Sequence, residues 1–310
     1  MSDETVELAR KTIANLPVFA GADAQSMPVT RLGGLTNLVF RVEHNNDVLC
    51  LRLPGEGTDE YIDRKIEAHN AKAAARAGVS PQLVFADPDT GIMVSKFLDG
   101  FETMTPDIFT SKKGAAARAG TAFAKLHNSG ETFDFRFELF SMIDDYLEIL
   151  SKKTVDFPEG YHDVLAESAA VREALNARPA KLAPCHCDPL CENFLDDGKT
   201  MWIIDWEYSG MNDPLWDLGD LSVEGGFSDA LDMEMLNAYF PGGPGSAEMG
   251  RVVIYKAMCD LLWTLWGLIQ HANNNPAEDF WAYSTGRFER CRKLMDDPNF
   301  AQHINAIRKT

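Results

Sequence analysis

The segment 185–205, CHCDPLCENFLDDGKTMWIID, concentrates carboxylate, amide and imidazole side chains around two short apolar runs. Transfer of a phosphoryl group from a magnesium nucleotide to a hydroxyl requires a carboxylate that orients the hydroxyl and accepts its proton, and oxygen ligands for the metal. Asp188 fits the first requirement. Asn193 and Asp205 fit the second, because a hairpin turning at 196–198 would return Asp205 to the side of Asn193. The segment therefore predicts phosphoryl transfer from ATP with Mg²⁺.

The spacing within this segment supports the prediction. Asp188 and Asn193 are five residues apart, as are the corresponding residues in the catalytic loop of protein kinases, where a metal-binding Asp also follows the next strand. Asp205 follows the apolar run 201–204 in the same way. A polar turn with incidental acidic residues is the alternative. We interpret His186, close to Asp188, as a structural side chain that packs and hydrogen-bonds the loop.

Three thiols lie in the same segment, at Cys185, Cys187 and Cys191. Their C-x-C-x-x-x-C spacing lacks the paired C-x-x-C motifs of structural zinc sites and overlaps the predicted catalytic loop. Zinc is therefore not expected here. Six cysteines in 310 residues are also too few for a disulfide scaffold and are typical of a reducing compartment.

Small and polar residues near the N-terminus form a candidate phosphate-binding loop between two strand-like runs. They are Gly33, Gly34, Thr36 and Asn37. Backbone N–H groups in such a loop can bind phosphate oxygens, but a glycine pair between strands is equally typical of a plain hairpin turn, so both interpretations stay open. Arg52 in the next strand and Glu67 in the following helix have the order of a phosphate-binding cation and the acid that holds it in a kinase lobe.

The elements that would position these residues fall into two groups. Apolar and β-branched runs predict strands at 28–32, 38–42, 48–53, 83–86 and 92–97. A helix at 59–77, ended by Gly78, interrupts these strands. From residue 99 the pattern is mainly helical, at 114–127, 140–150, 164–175, 248–271 and 279–295, with a hairpin of 193–195 and 201–204. We expect a nucleotide-binding lobe at 1–98 and a catalytic and substrate-binding lobe at 99–310.

Composition and charge exclude several classes of protein. The formal net charge is −18 and the isoelectric point is about 4.7, so neither duplex nucleic acid nor an anionic membrane surface is an expected partner. The start, MSDETVELARK, has no signal-peptide pattern. The apolar run 251–271 contains Lys256 and Asp260, so it predicts a buried helix rather than a membrane span. We expect a cytoplasmic protein without membrane insertion.

Four stretches together resemble the choline and ethanolamine kinase family, in its bacterial type, within the aminoglycoside-phosphotransferase and protein-kinase-like superfamily. They are GGLTNLVFRV, LRLPGEGTDEYIDRKIEAHN, HCDPLCEN and IIDWEYSGMNDPLWDLGD. The resemblance runs from about residue 31 to about residue 295. It implies an α+β, bilobal protein-kinase-like fold, in which an N-terminal antiparallel sheet with one helix precedes a larger, mainly helical C-terminal lobe.

The same resemblance assigns roles to the residues around the predicted reaction. It implies ATP and Mg²⁺ as cosubstrates, with Asp188 as the catalytic base. Asn193 and Asp205 would hold the metal with help from Glu207. Arg52 would contact the phosphates.

Two further regions receive a role from the resemblance. Adenine would lie against a hinge formed by Lys96, Phe97 and Leu98, and Asp217 would support the catalytic loop from below. The family usually has Asn where this chain has Cys187. We expect the Cys187 side chain to point away from the reaction.

Aromatic residues near the C-terminus bear on the identity of the alcohol. A quaternary ammonium has no N–H donors, so proteins bind it with aromatic faces and a nearby carboxylate. Trp263 and Trp266 share one predicted helix face, Tyr283 lies on the next helix, and these positions resemble the aromatic cage of choline kinases. Glu224 matches the family's carboxylate that faces the ammonium, and Tyr208 would add a wall. Aromatic residues at helical spacing are otherwise typical of a core.

The sequence therefore predicts an ATP- and Mg²⁺-dependent choline kinase that makes phosphocholine. The alternatives are a kinase of ethanolamine or of an aminoglycoside, or a catalytically silent kinase-like binding protein. The expected partner is a small cationic alcohol, and a homodimer is left open. The charge pattern favours a cation, because residues 188–234 carry 13 acidic residues and a single lysine, a net charge of −12.

Overall fold

The computed structural model describes residues 2–33, 37–55, 58 and 62–309. Five strands form an antiparallel sheet in the N-terminal part: β1 Val29–Arg31, β2 Leu38–His44, β3 Asp47–Leu53, β4 Leu83–Ala86 and β5 Met93–Lys96. Their spatial order is β1-β2-β3-β5-β4. Each strand lies within two residues of its predicted bounds.

Side-chain alternation along β3 decides which residues of the sheet face the rest of the molecule. Leu49, Leu51 and Leu53 are buried in the apolar core of the sheet. Cys50 and Arg52 therefore project from the opposite face, and Arg52 reaches acidic residues of the C-terminal part of the chain.

The chain begins with a helix, α1 Ser2–Ile13, which the sequence analysis does not predict. Ala9 and Ile13 of α1 are buried against the sheet together with Phe19. The spacing of Ala9 and Ile13, four residues apart on one face, is the signal that could have revealed it. The N-terminal part therefore contains one more helix than predicted.

A second helix, α2 Arg64–Ala77, interrupts the strands as the sequence predicts. Its described start is at Arg64 rather than at 59, because the Asp63 side chain accepts hydrogen bonds from the N–H groups of Lys65 and Ile66. Residues 59–61 lie outside the described residues. The helix ends at Gly78, as predicted, whose φ of +71° is the left-handed conformation that glycine adopts without strain.

The described C-terminal part is mainly helical, as predicted. Its helices are α3 Pro106–Ser111, α4 Ala115–His127, α5 Leu139–Ser151, α6 Tyr161–Glu167, α7 Ala169–Ala177, α8 Leu215–Glu224, α9 Asp229–Tyr239, α10 Ser246–Ala272, α11 Phe280–Met295 and α12 Phe300–Lys309. The single helix predicted at 164–175 is instead the end of α6 followed by α7. The break falls at Ser168, whose hydroxyl donates to the Leu165 carbonyl at 2.7 Å and competes with the helical backbone.

Five short strands lie among these helices: β6 Glu102–Thr103, β7 Ala183–Cys185, β8 Phe194–Asp196, β9 Met201–Ile203 and β10 Gly210–Asn212. β8 and β9 form the predicted antiparallel hairpin, with Phe194 opposite Ile203. β6 adds to the edge of this hairpin, and β7 pairs with β10. The chain thus leaves the first sheet after Lys96 and joins a second one at Glu102, while the division into lobes at 98 stays a prediction.

The long helix α10 lies in the core of the C-terminal part. It packs against α5, α8, α11 and α12, and 83% of its most apolar stretch is buried. By length and composition it is the one helix among the described residues that could cross a membrane. Its burial confirms the predicted core helix.

Candidate active site

Asp188 lies in the loop between β7 and a short 3-10 turn, Cys191–Asn193, and a buried acid holds the backbone of this loop. The N–H groups of His186 and Cys187 donate to the carboxylate of Asp217 at 2.7 and 2.9 Å. Cys187 has a φ of +69°, a left-handed backbone that costs about 1 kcal/mol, and the two hydrogen bonds keep it there. The predicted support of the catalytic loop by Asp217 is therefore confirmed.

The side chains beside Asp188 are structural. His186 Nε2 donates to the Ile204 carbonyl at 2.9 Å, and its ring packs on Trp206 with the centroids 4.9 Å apart. Burial lowers the pKa of His186, so the imidazole is neutral and ties the loop to the segment after β9. Cys187 Sγ accepts from Asn212 Nδ2 at 3.8 Å in the buried layer below the loop. Both side chains are where the sequence analysis expects them.

The β8–β9 hairpin brings Asn193 beside Asp205. The Ile204 N–H donates to the Asn193 carbonyl at 2.9 Å, so Asn193 lies opposite the residue that precedes Asp205. Asn193 Nδ2 donates to the Asp188 carbonyl at 3.2 Å, which orients the amide and leaves Oδ1 as its cation-binding atom. Asp205 itself has a φ of +67°, so its backbone is also left-handed. The hairpin therefore joins the two predicted metal ligands through the backbone.

Three carboxylates meet next to this hairpin. One oxygen from each of Glu67, Asp205 and Glu207 lies within 4.8 Å of the others. Burial, and then the charge of Asp205, raise the pKa of Glu207 to about 7. Oxygen ligands of this kind, with the Asn193 amide, are the donor set that Mg²⁺ prefers, so the residues present fit a magnesium site.

Arg52 links these carboxylates to the sheet. Its Nη1 lies 2.5 Å from Glu67 Oε1, and its Nη2 lies 2.9 Å from Glu207 Oε2 and 3.2 Å from Asp205 Oδ1. Burial alone would lower the pKa of Arg52, but the charges of the three acids outweigh it and raise the pKa. The structure thus brings Arg52 together with Glu67 and with both predicted metal-binding acids.

A second arginine, which the sequence analysis missed, completes this group. Arg64 Nη1 lies 2.8 Å from Glu67 Oε2 and 3.8 Å from Glu207 Oε2. Glu67, only 1% exposed, therefore forms ion pairs with two guanidinium groups, with Arg52 at Oε1 and with Arg64 at Oε2. The signal for Arg64 was its position three residues before Glu67 on the same helix face.

The candidate phosphate-binding loop reaches the same acids through Asn37. Asn37 is 3% exposed, and its Nδ2 lies 3.3 Å from Glu207 Oε2 and 3.5 Å from Asp205 Oδ2. Its Oδ1 accepts from the Gly55 N–H at 3.3 Å. Gly33 is exposed at the start of the loop, whereas Gly34 and Thr36 lie outside the described residues. Their contact with phosphate stays a prediction.

The predicted hinge runs from the end of β5 into the connection between the two sheets. Lys96 pairs with Asp47 at 2.7 Å, and the Phe97 N–H donates to the Val48 carbonyl at 3.0 Å. Phe97 and Leu98 are half-buried. The contact of this segment with adenine stays a prediction.

The four aromatic residues of the predicted alcohol site form a continuous row. The ring centroids are 5.7 Å apart for Tyr208 and Trp263, 6.3 Å for Trp263 and Trp266, and 5.8 Å for Trp266 and Tyr283. Each pair meets edge to face. Trp263 is 4% exposed and its Nε1 has no hydrogen-bond partner, whereas the other three rings are half-buried. The structure therefore brings these four predicted residues together.

Glu224 lies at this row, but an arginine that the sequence analysis missed already contacts it. Arg287 Nη2 lies 2.7 Å from Glu224 Oε1, and the guanidinium carbon lies 4.6 Å from the centroid of the Tyr283 ring. Arg287 also pairs with Asp260 at 3.2 Å. The expected carboxylate is thus balanced by a cation of the chain itself. Arg287 could have been found from its position four residues after Tyr283, which puts both side chains on one face of the helix.

Acids of two groups influence Asp188: Asp205 and Glu207 beside Arg52, and Glu224 beside the aromatic row. Burial raises its pKa well above the ordinary carboxyl value, the charges of Glu224, Glu207 and Asp205 raise it further, and Arg287 lowers it. The Asp188 carboxyl is therefore coupled by charge to both groups. This arrangement suits a proton acceptor between a metal-bound phosphate and an alcohol.

Comparison with known proteins finds similarity over most of the chain. A sequence model described as choline/ethanolamine kinase matches residues 29–231. A crystal structure of a choline/ethanolamine kinase family protein from Mesorhizobium loti is 59% identical, with a TM-score of 0.91 over 98% of this chain and 99% of that one. Protein LicA from Haemophilus influenzae is 26% identical over 287 residues, which cover 90% of this chain and 83% of LicA. Ethanolamine kinase 2 from Mus musculus is 25% identical over 292 residues, 84% of this chain and 74% of its own length.

Proposed function

Because the chain belongs to the choline/ethanolamine kinase family and has the predicted α+β, protein-kinase-like fold, we propose that it is an ATP- and Mg²⁺-dependent choline kinase. As a member of that family it is a phosphotransferase that acts on an alcohol. In the proposed reaction the γ-phosphoryl group moves to the choline hydroxyl and gives phosphocholine. The hydrogen bond of Asn193 Nδ2 to the Asp188 carbonyl, which joins the proposed base to a proposed oxygen ligand, supports this proposal.

The mechanism assigns one task to each group of residues. Asp188 accepts the proton of the alcohol as the oxygen attacks, and its raised pKa makes it a better base than an ordinary carboxylate. Asn193, Asp205 and Glu207 would hold Mg²⁺, which would neutralise negative charge on the transferring phosphoryl group. Asp217 accepts hydrogen bonds from the N–H groups of His186 and Cys187, and these bonds keep the catalytic loop in place.

The sheet provides the nucleotide side of the site. Arg52 contacts the phosphates, and its ion pair with Glu67 orients the guanidinium toward them. The loop 33–37 covers the phosphates, and the segment 96–98 receives the adenine. In this proposal residues 1–98 bind the nucleotide and residues 99–310 carry catalysis and alcohol binding. ATP supply makes the cytoplasm the expected place of the reaction.

Choline is the proposed alcohol because aromatic surface dominates the predicted site. Trimethylammonium is bound by ring faces and by charge, without hydrogen bonds, and Tyr208, Trp263, Trp266 and Tyr283 offer such surface. Ethanolamine is the second candidate. Its primary ammonium needs hydrogen-bond acceptors, and the carboxyl groups of Asp188 and Glu224 near the row can accept from it.

The proposal is tested by an ADP-release assay with Mg²⁺ and ATP. Choline, ethanolamine and an aminoglycoside are compared on the wild-type chain and on Asp188→Ala. We expect kcat/KM for choline to exceed that for ethanolamine, and turnover to be lost in the variant. Preference for ethanolamine would replace the proposed substrate, and absence of turnover with every alcohol would favour a silent binding protein.

A further inference from the structure

Three helices contribute side-chain pairs, each four residues apart, to one cluster that includes two rings of the aromatic row. The pairs are Asp220 and Glu224 on α8, Cys259 and Trp263 on α10, and Tyr283 and Arg287 on α11. We call these six residues the three-helix cluster. One atom each of Asp220, Glu224 and Cys259 lies within 4.8 Å of the others. The cluster thus places two carboxyl groups next to the proposed alcohol site.

The two carboxyl groups are balanced differently. Glu224 has Arg287 Nη2 at 2.7 Å, as an ion pair. Asp220 is fully buried, and Oδ1 accepts only the weak S–H donor of Cys259 at 3.0 Å. Its Oδ2 has no hydrogen-bond partner within the part of the chain that the structure describes. Among the described residues no cation forms an ion pair with Asp220.

The arginine of the cluster is already engaged elsewhere. Arg287 divides its donors between Glu224 and Asp260, and Asp260 takes two further hydrogen bonds from Arg290, at 2.6 and 3.0 Å. Arg287 and Arg290 therefore balance Glu224 and Asp260. Asp220 is left as the carboxyl whose charge an external cation beside the row would balance.

We propose that Asp220 is a specificity-determining residue, whose charge selects a cationic alcohol over a neutral one of the same shape. This inference rests on the proposed function only in placing the alcohol beside the aromatic row. Asp220 is buried behind Glu224 and does not touch the alcohol, so it acts through its electric field as a positioning residue. Glu224 and Arg287 form a neutral pair that shapes the pocket.

The surroundings of Asp220 explain why this charge depends on the alcohol. Burial raises the pKa of Asp220 well above the ordinary value, the charges of Glu224 and Asp188 raise it further, and Cys259 and Arg287 lower it. These groups lie on α8 itself, on the loop of Asp188, on α10 and on α11. A bound ammonium favours the ionised form of Asp220, because the two charges attract each other. Binding of a cationic alcohol therefore releases a proton from Asp220 to the solvent, whereas a neutral alcohol does not.

The test compares choline with 3,3-dimethylbutan-1-ol, in which carbon replaces the charged nitrogen. Titration calorimetry gives the affinity of each for the full wild-type chain and for Asp220→Asn, whose amide oxygen can still accept from Cys259. We expect Asp220→Asn to weaken choline binding roughly 10- to 100-fold, as for one charge across a partly buried site, and to leave binding of the neutral alcohol within about threefold. In buffers of different ionisation enthalpy, the proton released with choline should disappear in the variant.

Two results would overturn the inference. Equal losses for choline and the neutral alcohol would show that Asp220 acts through packing alone, and unchanged choline affinity would show that its charge is not sensed. The proposed function has its own readout, the turnover of choline by the wild-type chain. If ethanolamine is the alcohol phosphorylated, the same comparison with ethanolamine and propan-1-ol tests Asp220.

Discussion

The guanidinium of Arg52 lies 3.2 Å from the carboxylate of Asp205, across the boundary between the sheet and the helical part of the chain. The same Nη2 atom lies 2.9 Å from Glu207. A cation on β3 therefore neutralises acids that follow the β8–β9 hairpin and that we propose as metal ligands. The charge balance of the proposed metal site depends on both parts of the chain.

Removal of Arg52 should make the acids around it respond more strongly to magnesium. Arg52→Ala leaves Glu67, Asp205 and Glu207 with one cation fewer, so we expect the free energy of unfolding in EDTA to fall by roughly 3–5 kcal/mol. Added MgCl₂ should then raise Tm more in the variant than in the wild type. Arg52→Lys keeps the charge and serves as the matched control. Equal magnesium shifts in wild type and Arg52→Ala would argue against a metal at these acids.

Asp188→Asn should stop the reaction without unfolding the chain. The amide cannot accept the proton of the alcohol, so we expect kcat to fall roughly 10²- to 10⁴-fold while Tm and ATP affinity change little. Glu192 is an exposed acid in the same loop, and Glu192→Gln is the matched control. If Asp188→Asn kept wild-type kcat, Asp188 could not be the base.

Asp217 should affect catalysis through the backbone that it holds. Asp217→Ala leaves the buried N–H groups of His186 and Cys187 without an acceptor, so we expect a loss of roughly 2–4 kcal/mol in the free energy of unfolding and a lower kcat. Asp217→Asn keeps one acceptor oxygen and should lose less of both. Denaturant titrations and steady-state kinetics measure the two effects, and an unchanged kcat in a folded Asp217→Ala would contradict the role.

The aromatic row should distinguish choline from ethanolamine. The double variant Trp263→Ala, Trp266→Ala removes two ring faces, so we expect the KM for choline to rise roughly 10- to 100-fold and that for ethanolamine to rise less. Because Trp263 is buried and its loss costs about 3–5 kcal/mol of stability, Trp266→Leu is measured alone as well. Trp281→Leu, which changes a ring that packs on His271 instead, is the control. An unchanged KM for choline would rule out the cage.

The buried carboxyl of Asp220 should make the free energy of unfolding of the wild-type chain fall as the pH rises. The folded chain holds this proton to a higher pH than the unfolded chain, because burial raises the pKa of Asp220 above its ordinary 3.8. Below pH 3.8 both states carry the proton. Above it the unfolded state alone loses the proton, and the free energy of unfolding falls by up to about 1.4 kcal/mol per pH unit until the folded carboxyl also ionises. Asp220→Asn should therefore gain stability over wild type at pH 7, and the gain should shrink toward pH 4 in thermal melts. The same gain at both pH values would contradict this assignment.

The fold was predictable where the pattern is local. The five strands of the first sheet and the β8–β9 hairpin follow from runs of apolar residues and from turn residues within a few positions. β6, β7 and β10 have two or three residues each, too few for any period to show. They exist because distant segments supply their hydrogen bonds, as when β6 pairs with β8.

The candidate site divides in the same way. Asp188, Asn193 and Asp205 lie within 18 residues, and the strand-like runs and turn residues between Asn193 and Asp205 indicated the hairpin that joins them. The contact of Arg287 with Glu224 depends on how α11 packs beside α8, and no local pattern encodes that packing. The sequence therefore predicts Glu224 to face an ammonium, whereas the structure shows a guanidinium of the chain on it.

The left-handed backbone of Asp205 sets two selective pressures against each other. A residue with a side chain costs about 1 kcal/mol at a φ of +67°, whereas glycine adopts it freely. Glycine at this position would relieve the backbone strain but remove the carboxylate that lies 3.2 Å from the Arg52 guanidinium and that we propose as a metal ligand. The strained residue at position 205 is therefore a cost that the carboxylate justifies, so a screen for robust variants of this chain must score turnover at the same time.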